Sequence, residues 1–133
     1  MRGRKPELRA IEGGLSRLPS APSWLPREAK DEWRRVVPGL RQRRTLTRED
    51  LSMLESYCLA AGTVRRMQAT IATEGDTIRT GRGEVKRHPA FQTMFQALTE
   101  SRRLAAELGL TPASRNKAAA TGGEDDDLAD FDL

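Results

Sequence analysis

Arginine supplies most of the chemistry this chain has to offer. Arg2-Gly3-Arg4-Lys5-Pro6 opens it, Arg9 and Arg17 follow, and Arg41, Arg43 and Arg44 form a second group. Cations at this density suit phosphate, and on duplex DNA every neutralised phosphate adds salt-sensitive affinity. Arg2 to Pro6 has the form of a minor-groove peptide. In such peptides glycine lets the backbone lie deep in an A·T groove while flanking arginines follow its negative floor. A generic phosphate-binding arm and a solubilising tail fit the same residues. Arg41, Arg43 and Arg44 fall on an expected connector, as a solvated basic loop or as a phosphate-contacting patch.

The sequence shows no catalytic constellation. One histidine, His88, and one cysteine, Cys58, do not make a His/Cys zinc site, and nothing has the form of a P-loop or an HExxH helix. Gly81-Arg82-Gly83 is too short and wrongly placed to cradle a nucleotide phosphate. His88, just before Pro89, reads as a residue at a helix start, and the carboxylates are expected on exposed faces or in the acidic C-terminal segment. The expectation is a protein that is not an enzyme, with no catalytic residue, metal or cofactor. A single cysteine also excludes an intramolecular disulfide.

Charge divides the chain. Residues 1–44 carry 12 Lys/Arg against 5 Asp/Glu, residues 45–123 carry 11 against 8, and residues 124–133 carry none against 6. A basic body followed by an acidic segment points to two partners, or to a tail that shields the basic surface. Leu128, Phe131 and Leu133 are spaced through the acidic segment. A solubilising tail and an acidic peptide that docks on a protein both fit this segment; a purely electrostatic shield has no need of the spaced apolar groups. No apolar run approaches transmembrane length, the arginine-rich start lacks an apolar signal region, and no membrane partner is expected.

The elements that position these groups are mainly helical. Phe91, Met94, Phe95, Leu98, Leu104, Ala105 and Leu108 keep helical spacing from Pro89 onward, with Gly109 as the stop and Thr111-Pro112 as a new start. Thr47 is the expected N-cap of a second long helix, of about 27 residues, through Leu51, Leu54, Cys58, Ala61, Val64 and Ile71 to Glu74, with Gly75 as its stop. A shorter helix begins near Pro26, carries Ala29, Trp33, Val36 and Val37 on one face, and is expected to stop before Pro38. Residues 76–87 read as a small β-hairpin with Ile78 and Val85 pointing the same way.

The fold expected is therefore an antiparallel hairpin of two long helices, with a short N-terminal helix and a β-hairpin between the long ones. Equal rises from the turn pair Ile71 with Phe91–Phe95, Gly62 with Ser101, and Leu51 and Leu54 with Leu108 and Leu110. Trp33, Leu51, Leu54, Phe91, Phe95, Leu98 and Leu108 are the expected core and oligomer-contact residues. Residues 1–24 form a basic flexible arm, 25–117 the helical core and oligomerisation domain, and 118–133 an acidic disordered tail. A core of about 90 residues is marginal alone, which favours self-association.

Landmarks along the whole of this arrangement give a family resemblance. They are Gly3-Arg4-Lys5-Pro6, Ile11-Glu12-Gly13, Trp24-Leu25, Glu32-Trp33, Leu46-Thr47 with Asp50, Tyr57-Cys58, Gly75, His88-Pro89-Ala90 and Leu108 to Arg115. In order and spacing they resemble the small subunit of the tailed-phage DNA-packaging terminase, in the cohesive-end group. One departure is Gly14-Leu15-Ser16-Arg17, where the family often has Asn-Pro-Gly-Lys. The resemblance implies a non-catalytic protein of the host cytoplasm that binds double-stranded viral DNA near the packaging start. It also implies a ring-shaped homo-oligomer, a nonamer being one admissible size, and a large ATPase–nuclease subunit as partner. The other reading is a helical nucleic-acid-binding adaptor or scaffold unrelated to packaging.

Overall fold

The computed structural model describes residues 13–116. Arg2, Arg4, Lys5 and Arg9 of the arm, and Leu128, Phe131 and Leu133 of the acidic segment, lie outside the described residues. Helix α1 is Arg27–Arg43, α2 is Leu51–Glu74 and α3 is Ala90–Glu107; strands β1, Thr77–Arg79, and β2, Val85–Arg87, form an antiparallel hairpin between α2 and α3. The expected architecture is the one observed, mainly helical with the β-hairpin at the turn.

Helix α1 does not stop at Val37. It runs 17 residues with Pro38 inside, so Arg41 and Arg43 belong to its last turn rather than to a connector. Proline removes one helical hydrogen bond and crowds the preceding turn, at a cost of about 3 kcal/mol or more. Packing offsets this. Val36 and Leu40 flank Pro38 in sequence and are both buried in the core, and each buried side chain of that kind contributes about 1.5–3 kcal/mol. The helix ends instead at Arg44, whose φ of 54° is left-handed and whose N–H bonds the Leu40 carbonyl.

A single 3₁₀ turn, Arg48–Asp50, leads into α2. The Asp50 carboxylate accepts the Thr47 N–H at 2.9 Å and the Thr47 hydroxyl at 3.1 Å, a reciprocal cap that fixes the start. Gly75, with φ 95°, closes α2. At the far end of α3 the Leu110 N–H bonds the Ala105 carbonyl at 2.8 Å and the Gly109 N–H bonds that of Ala106 at 3.2 Å. This is a Schellman stop, with Gly109 supplying the left-handed residue at φ 75°. Thr111 and Ser114 then cap one another, and residues 112–116 are helical.

Two corrections concern register. In the β-hairpin Ile78 pairs with Lys86 and Arg79 with Val85. Directly paired residues share a face and neighbours alternate, so Ile78 and Val85 lie on opposite faces. Gly62 faces α1 instead of Ser101: a Cβ there would come 2.7 Å from the Ala29 nitrogen.

The core has two parts. One gathers Leu25, Ala29, Trp33, Val36 and Leu40 with Leu46, Leu54, Tyr57, Cys58, Leu104 and Leu108. The other lies toward the β-hairpin and holds Ile71, Ala90 and Met94, with Val64, Met67, Phe91 and Leu98 against them. The first is a three-helix core. The second has only α2 and α3, so Phe95 stays 46% exposed and outside the protomer's interior.

Candidate nucleic-acid interface

Three chain segments meet where α1 ends. Arg41 and Arg43 occupy its last turn, where cations complement the helix dipole, and Arg44 and Arg48 follow, with Arg41, Arg44 and Arg48 exposed. Buried Leu46 anchors the connection, and its carbonyl accepts the Leu15 N–H at 2.7 Å. That bond brings the incoming N-terminal segment to this corner and places exposed Arg17 two residues further along. The end of α3 arrives at the same place. Arg43 Nη2 donates to the Gly109 carbonyl at 3.4 Å, and Arg115 Nη1 to that of Leu110 at 2.8 Å.

The arginines at the corner therefore differ in kind. Arg41, Arg44 and Arg17 present free cationic heads to solvent. Arg43 is half-buried, and burial followed by repulsion from Arg115 pushes its proton affinity below the ordinary arginine value. It joins α1 to the α3 stop, and little of it is available for phosphate.

A second basic surface lies at the opposite end. Arg79, Arg82, Lys86 and Arg87 are all exposed on the β-hairpin. Arg79 is partly spent on the Gly83 carbonyl at 2.9 Å. Arg87 lies over the Phe91 and Phe95 rings at 5.6 and 5.7 Å from their centroids, within cation–π range.

Sequence reasoning missed the buried ion cluster between α1 and α2. Glu32 is only 1% exposed, a correction to the expectation that the carboxylates lie outside. Arg35 donates through Nε and Nη2 to its two oxygens at 2.9 and 2.5 Å; Arg65 Nη2 donates at 2.6 Å, and the Tyr57 hydroxyl donates at 2.5 Å. Burial alone would raise the Glu32 pKa. The hydrogen bonds of Arg35 and Tyr57 and the charges of Arg35 and Arg65 outweigh it and hold the carboxyl below its usual range. Burial, then the hydrogen bond to Glu32, pushes Tyr57 up to about 12; burial, then the Glu32 charge, pushes the Cys58 thiol up to about 12 as well. A signal was present in the sequence: Glu32 falls on the Ala29–Val36–Leu40 stripe, with Arg35 one turn on.

His88 is a joint too. Its Nδ1 accepts the Ala90 N–H at 3.0 Å, so in the neutral ring the proton sits on Nε2, which donates to Glu74 at 2.7 Å. The start of α3 is thereby tied to the end of α2 across the β-hairpin. Among the described residues no three His, Cys, Asp or Glu side chains converge as metal ligands do, and no helix is long and apolar enough to cross a membrane.

The structure is thus a helical hairpin with cations at both ends, and the acidic side chains among the described residues are held in joints or spread over exposed faces. Residues 29–125 match the family described as phage terminase, small subunit, and the chain belongs to that family. The match begins in the first turn of α1 and covers the rest of that helix, α2, the β-hairpin and α3. Comparison with curated proteins and with solved structures returned no match.

Proposed function

We propose that this chain is the DNA-recognising, non-catalytic subunit of a phage packaging machine. It acts in the host cytoplasm as a ring-shaped homo-oligomer, holds double-stranded viral DNA near the packaging start, and brings in the large ATPase–nuclease subunit. The observation that carries the reading, beside the family match, is the corner at Leu46. There the bond from the Leu15 N–H to the Leu46 carbonyl brings the segment with exposed Arg17 to the one with exposed Arg41, Arg44 and Arg48, so cations distant in sequence share one corner of the fold.

Self-association is supported by the two-helix half of the fold. Near the β-hairpin α2 and α3 have no third helix, and Phe95 and Val85 remain 46% and 58% exposed. A single pair of helices leaves apolar faces that a second layer normally covers. The acidic segment, with Leu128, Phe131 and Leu133 among six carboxylates, supplies a docking peptide for the large subunit.

The test is a salt titration of duplex binding. Replacing Arg2, Arg4, Lys5, Arg9 and Arg17 with alanine should reduce the log–log salt slope by about 4 to 5, at about 0.9 per phosphate contact. An unchanged slope would remove the arm from the interface. A loss greater on A·T-rich than on G·C-rich duplexes would mark the arm as a minor-groove reader.

A further inference from the structure

An open groove of about 580 Å³ runs along α1, floored by Trp33 and Val37, walled by Leu18 and Ala21, and edged by Lys30 and Arg34. The wall is held in place by the Trp33 indole N–H, which donates to the Pro19 carbonyl at 3.0 Å. The indole's polar atom is thus satisfied and its ring closes the floor from below, while half-buried Val37, Leu18 and Ala21 keep the apolar surface that an occupant can cover. Lys30, Arg34, Val37, Pro38 and Arg41 follow helical spacing along one stripe, so the groove's cationic edge continues toward the corner where α1 ends.

We infer that this groove is the seat of the chain's own acidic segment, residues 124–133. The chemistries match on both counts: apolar Leu128, Phe131 and Leu133 against half-buried Val37, Leu18 and Ala21, and interspersed carboxylates against Lys30, Arg41 and Arg34, the last now in an exposed pair with Asp31 at 3.0 Å. A phosphate backbone would use the cations and leave the apolar floor empty. The reach is also sufficient. Arg43 and Arg115 both bond the α3 stop, at Gly109 and Leu110, so the chain leaves the described residues beside the end of α1. Trp33 lies ten residues before Arg43, about 15 Å along the helix. Residues 117–123 are seven residues, which extended span about 23–25 Å. Seated there, the segment covers Arg41 and competes with phosphate for it. The side chains it uses are those offered to the large subunit, so the seat and that docking exclude one another.

The experiment is amide hydrogen exchange on the full chain at low salt, with neither DNA nor large subunit present. Its failure therefore leaves the packaging reading untouched. Residues 124–133 should exchange at least fivefold more slowly than an unstructured peptide, and Lys30→Glu with Arg34→Glu should return them to the free rate. Free-rate exchange in the unaltered chain overturns the inference, and so does protection that survives the double charge reversal. Phe131→Ala provides a reading that leaves α1 unaltered. It should move the Trp33 indole N–H resonance and leave that of Trp24, which does not line the groove, where it was. An unmoved Trp33 resonance overturns the inference as well.

Discussion

Gly62 of α2 lies against Ala29 of α1 so closely that a Cβ at position 62 would sit 2.7 Å from the Ala29 nitrogen and 3.0 Å from its Cα. No flexible side chain is there to yield, because the opposing atoms are backbone. In an exposed helix, replacing glycine by alanine would gain about 1 kcal/mol. Here the sign should reverse. Gly62→Ala forces α1 and α2 apart, and overpacking of this kind costs about 1–3 kcal/mol. Urea unfolding should show a lower midpoint with an unchanged m-value. A stabilised Gly62→Ala would mean that the two helices do not cross at this point.

The Glu32 cluster joins the same two helices with charge, and its pH dependence follows from the direction of the shift. The folded-state pKa of Glu32 lies below the ordinary 4.5. Its stabilisation is therefore present in full above the unfolded value and is lost as pH falls through the lower folded one. Glu32→Gln weakens charged hydrogen bonds worth about 1.5–3 kcal/mol, and it should destabilise by that order at pH 7. Arg35 and Arg65 remain 63% and 45% exposed, so the larger penalty of stranding a buried cation does not apply. Denaturant melts at pH 7 and pH 3 should show the difference between the two proteins shrinking at the lower pH. At the alkaline end Tyr57, raised from 10.0 to about 12, contributes stability that is complete below 10 and is lost as pH rises through about 12. Tyr57→Phe should flatten that alkaline decline.

Local patterns carried much of this fold in the sequence, because caps and stops are chemistry between near neighbours. Thr47 with Asp50, Gly75, and the Gly109–Thr111 restart each act over a few residues, and each sits where its pattern points. Packing against distant residues carried the rest. The local preference at Pro38 says stop, yet buried Leu40 keeps α1 going. Equal-rise counting set Gly62 opposite Ser101 because it took only α2 and α3 into account, and α1 claims that face. Of the family landmarks, Glu32-Trp33 meets Tyr57-Cys58, His88 ties Ala90 to Glu74, and the run after Leu108 is the α3 stop. These landmarks are joints of the fold. Among the cations expected at phosphate, Arg43 finds its partner in the distant Gly109 carbonyl, so nothing in their spacing distinguished half-buried Arg43 from exposed Arg41 and Arg44.

That distinction is testable. Arg41→Ala with Arg44→Ala removes two exposed cations and should lower the salt slope of duplex binding by about 2, with stability changed by less than about 0.5 kcal/mol. Arg43→Ala should do the reverse. It removes the hydrogen bond to the Gly109 carbonyl and the packing of its stem, costing about 1 kcal/mol, while the slope changes little. Thermal melts paired with anisotropy at four salt concentrations separate the two effects. A slope loss as large for Arg43→Ala as for Arg41→Ala would show that Arg43 swings out to the phosphates.

Phe95 gives the sharpest separation between core and contact surface. It neighbours Met94 in sequence, but Met94 is 9% exposed inside the second cluster and Phe95 is 46% exposed beside Arg87. A charge placed at Met94 would be buried without a partner and should unfold the α2–α3 end. A charge placed at Phe95 meets water in the isolated protomer and costs it little. In an oligomer that covers this face, the same charge would be stranded among apolar groups. Phe95→Asp should therefore keep the helical circular dichroism of the parent while light scattering shows the assembly falling toward monomer. Met94→Asp should lose helicity and assembly together. If Phe95→Asp retained the parent's oligomeric mass, the proposed subunit contacts would have to lie on another face, and exposed Leu59 on α2 would be the next residue to change.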